Sequence, residues 1–285
     1  MKFSHQSSDL SCNRKGNLFS GFSICRYRKP SFKTPWQYAP QYYYYQTDST
    51  MKVARRLINK SPVHGTLILA EYQTGGYGRT PGSLWESKKG LNLLFNIILN
   101  KENIGNKINQ LPILCGLSVA QVVEKECGLS CEVKWPNDVI AGGSKIAGCL
   151  CEVSKGWISI GIGITCNQLR GLPTGELPVS SIAKLTGQKV DRKNLLTKTL
   201  FKFYEFLLLD NWWVEVNQKL FARGEEIELV NGANSAPKNG VIKGVSPDGG
   251  LLISDRKGTI HACFSGSIRL FEASLRGSLD VQSEN

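Results

Sequence analysis

Lys134, Trp135, Pro136, Asn137 and Asp138 occupy consecutive positions, and Lys145-Ile146-Ala147-Gly148 follows after a short glycine-containing turn. A lysine, an indole, a rigid imide, an amide and a carboxylate set this close together point to a held polar group. A lysine in partly apolar surroundings can place a cation against charge developing on a phosphate or carboxylate. The plainer reading is a β-hairpin with a capped corner, and the five residues by themselves leave both readings open.

A second stretch offers complementary chemistry. Gln73-Thr74-Gly75-Gly76-Tyr77-Gly78-Arg79-Thr80-Pro81-Gly82 holds four glycines in ten residues, so backbone N–H groups can come close enough to line an anion. Arg79 adds a permanently charged fork that can engage two oxygens. Taken alone the stretch also reads as a flexible surface loop. Ser49 and Thr50 supply hydroxyls that both donate and accept, although Asp48 or Ser49 serves equally well as an ordinary helix cap.

These segments, in this order, resemble the biotin protein ligases. Lys134 to Asp138 with Lys145 to Gly148 resembles that family's signature. Gly76-Tyr77-Gly78-Arg79 matches its Gly-Arg-Gly-Arg loop with Tyr77 in place of the first arginine. Asp48-Ser49-Thr50-Met51 matches Asp-Ser-Thr-Asn with Met51 in place of asparagine. Gly161 to Asn167 matches a Gly-Ile-Gly-Ile-Asn-x-Asn segment, with Thr165 for its first asparagine. Trp85 matches a tryptophan that a basic residue often precedes where Ser83 stands here. The resemblance covers about residues 47–271.

It implies an ATP-dependent ligase that activates biotin as biotinyl-5′-AMP and passes it to a lysine of a biotin carboxyl carrier domain, of the acetyl-CoA carboxylase type. By the same resemblance Ser49 and Thr50 would hold the ureido ring. Gln73, Gly76, Tyr77, Gly78, Arg79, Trp85, Lys134, Gly148 and Gly163 would surround biotin and its adenylate. Lys134 and Arg79 would be catalytic, neutralising charge between the carboxylate and the α-phosphate. Asn137 and Asn167 would touch ATP, and Mg²⁺ would ride on the phosphates with its protein ligands unassigned. The implied partners are biotin, ATP and the carrier domain, with neither DNA nor membrane, and a homodimer is among the assemblies allowed. Rivals are a lipoate or octanoate ligase or transferase of the same fold, a biotin-sensing repressor and a non-catalytic biotin-binding protein. A repressor needs an N-terminal helix-turn-helix, and residues 1–47 are too short and aperiodic for one.

Elements must hold these groups in place. Pro136 biases Trp135 toward an extended conformation, so Lys134 is expected at a strand end. Val139 and Ile140 resume an apolar strand, Ala141 to Ser144 read as a hairpin turn and Ile146 to Val153 as its return. Strands are expected over Trp36 to Gln46, Leu67 to Tyr72, Leu91 to Leu99 and Trp157 to Ile164. Helices are expected from Thr50, over Leu111 to Cys127, and from Arg192 to about Leu209 behind Asp191. From Gly224 on, short strands alternate with turns such as Asn231-Gly232 and Pro247 to Gly250, the pattern of a small barrel.

The fold class expected is α+β: a mixed-sheet catalytic domain with packed helices, of the biotin/lipoate ligase type, over 41–222, then an SH3-like domain over 223–273. A disordered basic extension over 1–40 and a tail over 274–285 flank them. Length and a 41% hydrophobic content suit a sizeable core plus a small module. The +12 net charge is uneven, because residues 1–47 carry seven basic residues against Asp9 alone. The extension reads as a dispensable tail or a transit peptide, so the expected compartment is the cytoplasm, or an organelle in the second case. The rest is mildly basic, which suits anionic ligands better than a nucleic-acid track. Nine cysteines without a Cys-x-x-Cys argue against zinc and disulfide frameworks. The three histidines assemble no Ser-His-Asp logic, and no Walker A loop is present.

Overall fold

The computed structural model describes residues 24–27, 32–80, 82–174, 177–231 and 236–271. Most of the basic extension, the 274–285 tail, Pro81 and Gly232 lie outside the described residues.

In chain order the first part holds β1 (Ile24–Tyr27), β2 (Gln41–Tyr44), α1 (Thr50–Ile58), β3 (Thr66–Ala70) and β4 (Leu93–Asn100). After two short 3₁₀ turns come α2 (Leu111–Cys127), β5 (Glu132–Lys134), β6 (Asp138–Ala141), β7 (Ser144–Ser154) and β8 (Trp157–Ile164). Then follow α3 (Ile182–Thr186), α4 (Arg192–Leu208) and α5 (Trp212–Gln218). The strands form one sheet in the order β1-β2-β3-β4-β8-β7-β6-β5. It is a mixed sheet, because β2 and β3 run parallel and the other pairs antiparallel.

Helix α1 packs on β3, β4 and β8, whereas α2 packs on β5, β6 and β7 and against α4. Both faces of the central strands are therefore covered, and β3 and β4 read as nearly continuous apolar runs. Gly142 and Gly143, with φ of 51° and 66°, make the two-residue turn between β6 and β7, a geometry that needs positive φ at both positions. Cys149 of β7 is buried on the α2 side, its thiol donating to Pro112 O at 3.0 Å.

Residues 32–40 depart from the disorder expected up to residue 40. Phe32, Trp36 and Ala39 are buried, and the Gln41 amide bonds both the N–H and the C=O of Phe32. Trp36 lies over Gly65, where a Cβ would sit 2.1 Å from the indole. Two large aromatics outweigh the Ser, Lys and Arg around them, since each can bury 150–250 Å². The expected strand over Trp36 to Gln46 shortens to β2 for the same reason: its first half packs as irregular chain.

The C-terminal part contains β9 (Glu226–Val230), β10 (Lys238–Val245), β11 (Leu251–Ser254), β12 (Ile260–Cys263) and β13 (Ser267–Leu270). They form an antiparallel sheet in the order β12-β11-β10-β9-β13. Polar ties join it to the β5–β6 turn, the start of α2 and α5. Trp135 Nε1 donates to Gly249 O at 3.0 Å and Gln110 Nε2 to Pro247 O at 3.1 Å. The Asn217 amide pairs with both backbone groups of Val245.

Candidate active site

A cavity of about 420 Å³ opens beside the larger sheet, and the motifs from three distant parts of the chain line it. Ser49 and Thr50 come from the start of α1, Gln73, Tyr77, Gly78, Arg79 and Trp85 from the glycine-rich loop, and Lys134, Asn137, Asp138, Lys145 and Gly148 from the β5–β7 hairpins. Ser267 and Ile268 of the C-terminal sheet also reach it.

Local bonding explains how α1 is aimed. Ser49 caps the helix, its Oγ accepting from the Met51 N–H at 3.2 Å. Gln73 Oε1 accepts from the Thr50 N–H at 2.7 Å and from Thr50 Oγ1 at 3.0 Å, joining the loop base to the helix start. Partial burial pushes the Asp48 carboxyl up, but hydrogen bonds from Arg56, the Ser49 N–H and Thr47 outweigh it and lower the pKa to about 2. Asp48 is thus a fixed anion below the hydroxyls.

The loop is a tight hairpin. Trp85 N–H donates to Gly76 O and Gly78 N–H to Ser83 O, each at 3.0 Å. Gly76 does not line the cavity; it is closed in against Trp85 and Gln73, where a Cβ would lie 2.8 Å from Trp85 O and 2.9 Å from Gln73 Nε2. Arg79 spans to the C-terminal sheet, donating to Gly266 O at 2.7 Å and Ser267 Oγ at 2.9 Å. Desolvation lowers its pKa, with nearby Asp138 opposing, and a guanidinium stays charged regardless. Tyr77 donates its hydroxyl to Glu152 Oε1 at 3.2 Å.

The floor is glycine for a spatial reason. A Cβ on Gly163 would fall 2.4 Å from the Trp85 indole, and one on Gly161 would fall 2.6 Å from Met51 Sδ. The indole therefore lies flat against β8, with its Nε1 buried and lacking a partner among the described residues. Met51 Sδ lies 3.0 Å from Asn96 Nδ2.

Lys134 ends β5 as expected and is 8% exposed, in the cavity wall. Asn137 braces the next turn: its N–H donates to Lys134 O and its Nδ2 to Cys149 O. Asp138 Oδ2 pairs with Lys145 Nζ at 2.7 Å, while its Oδ1 is buried without a partner among the described residues. Asn167 stands elsewhere. Its side chain clamps both backbone groups of Val190, at 3.1 and 2.8 Å, and it does not line the cavity.

Sequence reasoning missed Leu150, Glu86, Ser267 and Ile268 as lining residues. Leu150 had a readable signal, since it shares strand parity with Gly148. Ser267 had none, because it arrives from a sheet some 190 residues away from the loop it bonds.

The chain is similar to known proteins. The model of the Biotin/lipoate A/B protein ligase family matches residues 43–168. The chain is 32% identical to the biotin protein ligase from Aquifex aeolicus, solved in complex with biotin and ATP; the match covers 80% of this chain and 97% of that one, with a TM-score of 0.70. It is 29% identical to a biotin–[acetyl-CoA-carboxylase] ligase of Paracoccus denitrificans, over 73% of this chain and 91% of that protein. It is 28% identical to the bifunctional ligase/repressor BirA of Bacillus subtilis, over 78% of this chain and 71% of that protein. The chain belongs to the biotin protein ligase family.

Proposed function

We propose that the chain activates biotin with ATP as biotinyl-5′-AMP and transfers the biotinyl group to a lysine of a biotin carboxyl carrier domain, of the acetyl-CoA carboxylase type. The observation that carries this reading is the meeting of Lys134 and Arg79, from distant segments, in the wall of one cavity that Ser49, Thr50 and Trp85 also line. The sister chemistry on lipoate or octanoate lacks such a specific observation in its favour.

In the first half-reaction the biotin carboxylate attacks the α-phosphorus and pyrophosphate leaves. Two anions must approach, so the cations of Lys134 and Arg79 stabilise the charge that gathers between them. Ser49 and Thr50 hydroxyls bond the ureido carbonyl and N–H groups, and the Trp85 indole forms the wall beside them. Asn137 acts as a brace for Lys134 while lying beside the nucleotide. Mg²⁺ fits here: Asp138 Oδ1 is a buried carboxylate oxygen without a partner among the described residues, Asp138 lines the cavity, and phosphate-bound magnesium needs only one or two protein carboxylates. Bound there, it would offset charge on the phosphates. In the second half-reaction an acceptor lysine amine attacks the activated carbonyl and AMP leaves.

No helix among the described residues is long and apolar enough to cross a membrane. We assign catalysis to residues 41–222 and read 223–273 as an SH3-like module that closes the site through Arg79. The work is placed in the cytoplasm, or in an organelle if the extension acts as a transit peptide. A test is mass spectrometry of the filtrate after mixing the protein with ATP, magnesium and biotin, followed by addition of an isolated carrier domain. Biotinyl-adenylate followed by a biotinylated carrier lysine is the expected result; adenylate that never labels the carrier overturns the acceptor assignment.

A further inference from the structure

Glu152 belongs to no motif, yet it organises the outer edge of the cavity. On β7 it shares a face with Gly148 and Leu150, both of which line the cavity, by the alternation of a strand. Its carboxylate receives a two-point contact from Arg55 of α1, at 2.7 and 2.9 Å. The same Oε1 accepts the Tyr77 hydroxyl at 3.2 Å, and the Arg55 guanidinium lies 5.6 Å from the centre of the Tyr77 ring. Three elements that carry the site thus meet at one carboxylate: α1, whose start presents Ser49 and Thr50, the strand β7, and the glycine-rich loop.

Arg55 is 54% exposed, and such a pair adds little to stability. What it does is geometric. A bidentate arginine fixes the carboxylate plane, so the Tyr77 hydroxyl finds its acceptor in one place. Burial and the Glu152 charge raise the Tyr77 pKa to about 12, which keeps the phenol a donor throughout the working pH range. Arg79, two residues on, is tied separately to Gly266 and Ser267, so the loop is pinned on both flanks.

We propose that Glu152 and Arg55 are positioning residues for biotin activation: through the Tyr77 hydroxyl they hold the Gln73 to Trp85 loop down over the biotin end of the cavity. Tyr77 thereby serves as a protein-to-protein latch. The assignment rests on the function proposed above.

The test compares the full-length protein with Tyr77→Phe, Glu152→Ala and the double variant. It measures biotin KM, kcat for pyrophosphate release, biotinyl-adenylate escaping into a filtrate, and thermal midpoint. Loss of one hydrogen bond to a charged acceptor predicts a KM increase of about five- to tenfold. Escaped adenylate should rise in parallel, with kcat within about twofold and an unchanged midpoint. The double variant should be no worse than Glu152→Ala alone, because Tyr77→Phe breaks a contact that Glu152→Ala already removes. Wild-type KM and adenylate retention in both single variants, or effects that simply add, would overturn the latch alone. Absence of biotin-dependent turnover in the wild-type protein would overturn the functional reading and the latch together.

Discussion

Asn137 and Cys149 hold each other by two hydrogen bonds: Asn137 Nδ2 donates to Cys149 O at 2.7 Å, and Cys149 N–H donates to Asn137 O at 3.0 Å. Because the Asn137 N–H also donates to Lys134 O at 3.1 Å, this pair sets the direction of the lysine. Asn137→Asp replaces the amide donor with an acceptor facing a carbonyl. The expected cost is about 1–3 kcal/mol of stability together with a loss of adenylation larger than the stability change explains. Denaturant melts alongside pyrophosphate-release assays check both.

Gly163→Ala should damage binding more than folding. The new Cβ meets the Trp85 indole at 2.4–2.5 Å, and a partly exposed loop residue can yield outward where a core residue cannot. Overpacking of this kind costs about 1–3 kcal/mol, whereas displacing the indole removes a wall of the cavity. Titration calorimetry should show biotin affinity lowered by at least about tenfold with a folded protein.

The ion pair between Arg192 and Glu71, 3.0 Å apart and 5% and 6% exposed, joins the start of α4 to the end of β3, just before the glycine-rich loop. Arg192 also donates to Asn92 O at 2.8 Å. Arg192→Met leaves a buried carboxylate without its cation, at an expected cost of about 3–5 kcal/mol. Exchanging Glu71 for Gln as well should recover part of that loss, which equilibrium unfolding of the single and double variants would read.

Asp48 gives a pH signature. Its folded pKa, lowered to about 2, lies below the unfolded value of about 3.9. Its contribution is therefore complete above that unfolded value and disappears as pH falls toward about 2. The difference in thermal midpoint between wild type and Asp48→Asn should be constant above about pH 5 and shrink steadily below pH 4.

The parts of the fold that depend on short-range pattern were legible in the sequence. The Leu111 to Cys127 helix, the Gly142-Gly143 turn and Lys134 at a strand end all follow from periodicity, glycine and proline. Composition misled at residues 32–40, where Phe32 and Trp36 find burial against distant partners that no local window contains. The same limit explains Asn167, whose amide meets Val190 from 23 residues away, and α5, a short helix without a side-chain cap. Glu152 was hidden because a charged residue in a strand announces nothing until Arg55 and Tyr77 are brought beside it.

The most direct test of the central claim is pyrophosphate release by the purified protein with ATP, magnesium and biotin, with lipoate in a parallel sample and Lys134→Ala as the paired variant. The proposed chemistry requires biotin-dependent release, none above background with lipoate, and a decrease of about a hundredfold or more in Lys134→Ala with an unchanged circular dichroism spectrum. Release with lipoate alone, or full activity in the Lys134→Ala protein, would contradict it.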